Sequence, residues 1–255
     1  MFRRGMLSAV SRLSASRRCC RCLSSEQPHR AFDFGSIEYW DAFHKRKAAR
    51  AEGADFDWFT AAHEPSSAAW AWLRTRVAPA PARVLHVGCG TSALGEALAS
   101  ALGTPVLNVD ASAAAVEVMR ARRGGGADGS GAACECEYAQ MDVTDMHILP
   151  TGSFGTVVDK GTFEALGFLP RDCSGGGPLP EQRQAAMLLE CARVLAPSGG
   201  RLLQISQEPP EERVDKVLGV LQGWRRSYTE FDDDEALEDA CGFVYYGYVF
   251  EPPPA

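Results

Sequence analysis

Lysine is scarce in this 255-residue chain: there are four, against 22 arginines and 33 acids. The net charge is −7 and no long basic stripe is present, so nucleic acid is not an expected partner. No apolar run reaches the length of a membrane span, so no membrane partner is expected either. Outside residues 1–25, none of the cysteines forms a CxxC pair or a Cys/His cluster at zinc spacing. No metal is therefore expected, and the thiols read as free in a reducing compartment. Acids are missing altogether before Glu26.

That last absence coincides with Arg3, Arg4, Arg12, Arg17, Arg18 and Arg21 and several serines. An arginine-rich, serine-rich, acid-poor start is the composition of an organellar transit peptide, here residues 1–25. Arg21-Cys22-Leu23-Ser24-Ser25 also resembles a matrix-protease site cut after Leu23. Without these residues the chain would sit near −13. Mitochondrial matrix localisation is the expectation.

The centre of the chain is richer. Val84-Leu85-His86-Val87 runs into Gly88-Cys89-Gly90-Thr91-Ser92, and a second apolar run, Val106–Val109, ends on Asp110. This is a strand–turn–helix–strand unit for an adenosine-containing ligand. Glycines let the backbone approach closely, a helix N-terminus offers N–H groups to an anion, and an acid about 20 residues on can take ribose hydroxyls. Gly88, Gly90 and Ala93 also satisfy the dinucleotide pattern, so a dehydrogenase has to be weighed.

Further strands are expected at 136–140, 156–159, 201–205, 224–231 and 243–250. Helices are expected at 36–51, around Trp70–Leu73, and at 92–102, 112–123, 181–195 and 211–222. Strands alternating with helices imply an α/β fold with a mainly parallel sheet covered on both faces. The organisation expected is a leader (1–25), a helical and aromatic lid segment (26–80), a ligand-binding domain (81–251) and a disordered tail (252–255).

The order of motifs after the glycine turn decides between ligands. Gln140-Met141-Asp142 follows strand three, Asp159-Lys160-Gly161-Thr162 closes strand four, and a helix then runs into Leu195-x-Pro-x-Gly-Gly200. This resembles the class I S-adenosylmethionine-dependent methyltransferases. Glu38-Tyr39-Trp40, Phe56-Asp57-Trp58-Phe59 and Asp159-Lys160-Gly161-Thr162 narrow the resemblance. They are similar to the group holding the elongation factor 1-alpha lysine methyltransferases and the mitochondrial citrate synthase lysine methyltransferase. Ser206-x-Glu208-x-Pro210-Glu211-x-Arg213 points toward the latter.

The resemblance implies a Rossmann-like, seven-stranded, mostly parallel sheet and methyl transfer from S-adenosylmethionine to a protein lysine, with citrate synthase the suspected partner. It assigns Trp40, Gly88, Cys89, Gly90, Thr91, Asp110, Met141, Asp142 and Asp159 to the cofactor. Asp159 and Lys160 fall to catalysis, and Trp58, Phe59 and Glu208 to the substrate. An ion pair that stabilises the turn stays open for Lys160, a solvated loop for Glu208 and core packing for the aromatics. No Asn/Asp-Pro-Pro-aromatic motif follows strand four, which argues against methylation of a nucleobase amine. One departure is His86, where many class I enzymes carry an acid that helps hold the methionine ammonium group. The rival readings are another protein substrate, such as an elongation factor, and a non-catalytic cofactor-binding assembly factor.

Overall fold

The computed structural model describes residues 33–49, 57–59, 62–78, 82–124, 135–168, 177–231 and 244–254. Residues 1–32, where a leader is expected, Phe56, residues 125–133 and residues 173–176 lie outside the described residues. Seven strands form one sheet: β1 (Val84–Val87), β2 (Val106–Asp110), β3 (Cys136–Gln140), β4 (Thr156–Lys160), β5 (Arg201–Ser206), β6 (Arg225–Phe231) and β7 (Tyr245–Glu251). Their order is β3-β2-β1-β4-β5-β7-β6, with β7 alone antiparallel to both neighbours. The helices are α1 (Ile37–Ala49), α2 (Ala68–Arg74), α3 (Leu94–Leu102), α4 (Ala113–Gly124), α5 (Thr162–Leu166), α6 (Pro180–Val194) and α7 (Pro210–Val220).

The central strands are apolar at successive positions because both faces are covered. Val84, Val106, Val158 and Leu203 pack with Trp72, Leu73, Leu98, Val116 and Met119 on one face. Leu85, Leu107, Val157 and Leu202 pack with Phe163, Met187, Leu188 and Val217 on the other. The period of two divides each strand between the two layers. Gly247 in β7 is where α2 docks, since a Cβ there would stand 2.6 Å from Trp72 and Phe231.

Two details depart from the sequence reading. Helix α3 starts at Leu94, not at residue 92, because Thr91–Ala93 are used as the turn and the Ser92 hydroxyl accepts from the Leu94 N–H at 3.2 Å. Helix α5 was not expected. Its five residues lie between Gly161 and Gly167, too few to show a helical period.

Strand β1 pairs with β2 on one side and β4 on the other, so the chain order reverses there. Ligands of open α/β sheets bind outside the carboxyl ends of the strands at such a point. The ends of β1, β2 and β4 carry Gly88, Asp110 and Asp159.

Candidate active site

The turn after β1 is built for close approach. Gly88 has φ +59°, and a Cβ on it would stand 1.8 Å from the Thr162 hydroxyl oxygen; Gly90 has φ +51°. Thr162 in turn donates to the Val87 carbonyl at 3.2 Å, so the β1 turn and the start of α5 are in direct contact. The Cys89 N–H is held by the Val109 carbonyl at 3.0 Å, and its thiol is buried. Thr91 is also buried.

Asp110 ties the turn to β2. Its two oxygens accept from the Gly90 and Ser112 N–H groups, each at 2.8 Å. Burial raises its pKa against those hydrogen bonds. A carboxylate has about four acceptor positions, so two remain for hydroxyl donors. Met141 is buried beside it, its N–H on the Asp110 carbonyl at 2.9 Å. Asp142 is exposed and turns back on its own loop, accepting from the Thr144 N–H at 2.9 Å and hydroxyl at 2.8 Å. That is an Asx turn that fixes the loop.

His86 is a strand residue in the core. Its Nδ1 lies 2.9 Å from Asn108 Oδ1, and burial pushes its pKa down to about 4. It is therefore neutral at physiological pH and contributes no charge in the place of the usual acid.

Asp159, at the end of β4, is completely buried. It accepts from the Thr162 N–H at 2.9 Å and from Gln204 Nε2 at 2.8 Å. Burial, and next the charge of Glu164, push its pKa up to about 7, against the opposing charge of Arg213. A carboxyl poised there can hold or release a proton near neutrality.

Lys160 is directed away from Asp159, into the N-terminal segment. Its amine lies 2.8 Å from Asp57 Oδ1 and donates to the Trp58 carbonyl at 2.8 Å. Burial lowers the Lys160 pKa. Burial pushes the Asp57 carboxyl up, but the charge and hydrogen bond of Lys160, with a 2.5 Å bond from Ser92, bring its pKa below the usual value. The ion pair fastens residues 57–59 across the site. Trp58 and Phe59 then cover Gly161, where a Cβ would stand 2.7 Å from Trp58 Cδ1. Phe59 is held at φ +72°, an outlier for a bulky residue, with its carbonyl fixed by the Tyr245 hydroxyl at 2.8 Å.

Trp40 joins the same cover. Its indole N–H donates to the Phe34 carbonyl at 2.9 Å, and its ring is 5.6 Å from Trp58. Phe34 touches Trp40, Trp58 and Phe168. Helix α1 adds two residues that the sequence did not single out. Asp41 caps α4 through the Ser112 hydroxyl (3.0 Å) and the Ala114 N–H (2.9 Å), and His44 packs 3.6 Å from a Cβ position on Gly90. Glu208 lies apart from this group, ion-paired to Arg213 and Lys216. Among the described residues no cluster of His, Cys, Asp and Glu could hold a metal, and no helix is long and apolar enough to cross a membrane.

Comparison with known proteins meets this geometry. A methyltransferase-domain family model matches residues 84–199. The mitochondrial citrate synthase-lysine N-methyltransferase of Pongo abelii is 31% identical over 221 residues, covering 83% of this chain and 84% of that protein. The chain belongs to the class I S-adenosylmethionine-dependent methyltransferases. The EEF1A lysine methyltransferase 4 of Bos taurus is 27% identical over 230 residues, covering 89% and 79%. A TehB-like S-adenosylmethionine-dependent methyltransferase from Corynebacterium glutamicum superposes with a TM-score of 0.53 at 17% identity, covering 85% of this chain and 100% of that one. Its likeness is one of fold. The Gly88 cradle and the spare acceptor positions of Asp110 fit the methyltransferase cofactor.

Proposed function

We propose that this methyltransferase is a protein-lysine N-methyltransferase of the mitochondrial matrix, with citrate synthase as substrate. The observation that carries the reading is a fully buried carboxylate, Asp159, at the end of β4. It is engaged on both oxygens, and, two residues on, Trp58 and Phe59 cover Gly161. An acid there suits a substrate that arrives as a cation, and aromatic faces attract ammonium and sulfonium groups. The similarity to lysine methyltransferases supports the amine as acceptor. The arginine-rich leader and the name of the Pongo abelii relative support the compartment and the substrate.

The cofactor residues in this reading are Trp40, Gly88, Cys89, Gly90, Thr91, Asp110, Met141 and Asp142, with Asp159 between cofactor and acceptor. When bound, S-adenosylmethionine supplies an electrophilic methyl group on a sulfonium. The chain's own residues do the remainder. Asp159 holds the lysine ammonium and accepts its proton at a carboxylate oxygen, which frees the nitrogen lone pair. Asp159, Trp58 and Phe59 would then hold the freed lone pair toward the methyl group that the bound cofactor would supply. Trp58 and Phe59 line the lysine stem and exclude water, and Glu208 meets basic surface beside the target lysine. Lys160 serves by position, since it holds Asp57 and Trp58 in place. Alignment and desolvation of the amine carry most of the rate.

Labelled S-adenosylmethionine incubated with purified citrate synthase is the test, with Asp159→Ala as control. Label on one lysine, lost in the control, is the expected result. If citrate synthase stays unlabelled while elongation factor 1-alpha is labelled, the substrate is replaced and the chemistry stands. Cofactor binding without label on any protein of a mitochondrial extract would leave a silent binder.

A further inference from the structure

Arg213 is the largest side chain with no exposed surface in the described part of the molecule. An arginine is almost never fully buried unless it is paired. Its Nη2 ion-pairs Glu164 and donates to the Ser206 hydroxyl at 2.7 Å. Its Nε lies 3.0 Å from Glu208 Oε2, and its guanidinium carbon stands 4.4 Å over the Phe163 ring. Ser206 donates to the same Glu164 oxygen that Arg213 holds. The second oxygen, Oε2, is buried without a hydrogen-bond partner among the described residues.

Charges desolvated in this way are weak stabilisers, and an apolar side chain would fill the volume at less cost. What the arrangement does is place negative charge. Glu164 and Glu208 both line a groove of about 410 Å³ whose walls include Phe163, Phe168 and Leu188. Arg213 holds Glu164 by a hydrogen bond from Nη2 and stands at ion-pair distance from Glu208, while its Nε and Nη1 make no hydrogen bond among the described residues, and it does not line the groove. Glu164 is joined to Asp159 through two elements: Thr162, the first residue of its own helix α5, donates to Asp159, and on β5 Gln204 donates to Asp159 while Ser206, two residues on and on the same face, donates to Glu164.

We infer that Arg213 is a positioning residue for the acceptor side of the site: it pins Glu164 beside Asp159 and so sets the charge that this pair of acids presents to the incoming cationic nitrogen. The inference rests on the reading of the acceptor as an amine. The charged and titratable groups that act on Asp159 through their charge are Glu164 from α5, Arg213 from α7, Cys191 from α6 and, from its own strand, Lys160, whose amine is turned to Asp57. Glu164 raises its pKa and Arg213 lowers it, so the two charges act in opposite directions.

The test is a carbon-13 NMR titration of Asp-labelled protein, with the Asp159 signal assigned from its loss in Asp159→Asn. Glu164→Gln is expected to move the midpoint of Asp159 down and Arg213→Met to move it up, each by about one pH unit or more. Arg213→Lys keeps the charge and is expected to bring the midpoint back toward the wild-type value, while its lost fork still lowers kcat. A purely structural arginine would give a lower melting temperature in all three variants and an unmoved Asp159 midpoint, and that result overturns the inference. If Arg213→Met does not fold, Glu164→Gln alone decides, by a downward shift or none. The titration needs no methyl acceptor, so it stands or falls separately from the lysine reading.

Discussion

The two halves of the site are held by different means. On the cofactor side, at the ends of β1 and β2, the positioning is done by backbone. Glycines admit the turn, both oxygens of Asp110 sit on N–H groups, and Cys89 and Met141 are placed by ladder-like bonds to Val109 and Asp110. On the acceptor side, at the ends of β4 and β5, it is done by buried charge. Asp159, Glu164 and Arg213 depend on one another, and Glu164 Oε2 and Gln204 Oε1 keep no hydrogen-bond partner among the described residues. The backbone-built half is expected to respond most to added bulk in its turn. The charge-built half is expected to respond most to the loss of a charge.

The sharpest way to break this contrast is Asp159→Asn. It keeps the shape and removes the charge, so methyl transfer is expected to fall about 10²–10⁴-fold. Cofactor affinity, measured by calorimetry, is expected to stay within about tenfold (about 1.4 kcal/mol). A loss of affinity as large as the loss of turnover would merge the two halves into one. Gly88→Ala is the converse. It adds no charge but puts a Cβ 1.8 Å from the Thr162 oxygen at a positive φ. Strain of about 1–3 kcal/mol is expected in the melting curve. Cofactor binding is expected to weaken at least tenfold, and unchanged binding would show that the turn is not the cradle.

A third effect separates the halves by pH. The folded pKa of Asp159 is about 7, above the ordinary carboxyl value near 3.9 of an unfolded chain. The folded state therefore binds the proton more tightly. The stability this lends is full below about pH 4 and is lost as pH rises through about 7. Between pH 5 and pH 8, wild type is expected to lose melting temperature relative to Asp159→Asn. Equal slopes for the two proteins would show that Asp159 is not the group responsible.

The same contrast governs what could be read from the sequence. The Gly88–Ser92 turn and Asp110 are local or follow from fixed spacing, and the seven strands stand within about two residues of where alternation and turn residues put them, whereas their order in the sheet was not read. Asp159 was legible as the acid closing β4. Its partners were not. Glu164 sits on a five-residue helix with no period to betray it, and Arg213 reaches it across 49 residues of chain. Lys160 was marked for its rarity, but its partner Asp57 lies 103 residues upstream. Patterns of 2 and 3.6 residues carry no information on contacts of that range. The aromatic cluster was visible as composition, whereas Phe34 joins it only through space.

The smallest expected effect concerns the strap itself. Asp41 accepts from the Ser112 hydroxyl and the Ala114 N–H, capping α4 from a different helix, and the bond to Lys45, then those to Ala114 and Ser112, lower its pKa to about 2. Its contribution is thus complete at neutral pH and is lost only as pH falls toward 2. Asp41→Ala is expected to cost about 1 kcal/mol, the usual worth of a cap. Asn is as good a cap as Asp, so Asp41→Asn is expected to recover most of it and to lose only the charge facing the α4 N-terminus, about 0.3–1 kcal/mol. Because Asp41 sits on the helix that brings His44 against Gly90 and Trp40 against Trp58, Asp41→Ala is also expected to weaken cofactor binding a few-fold while leaving the pH response of Asp159 where it is. A shift in that pH response would mean that the N-terminal strap reaches the acceptor half as well, and the division between a backbone-built and a charge-built half would then have to be drawn elsewhere.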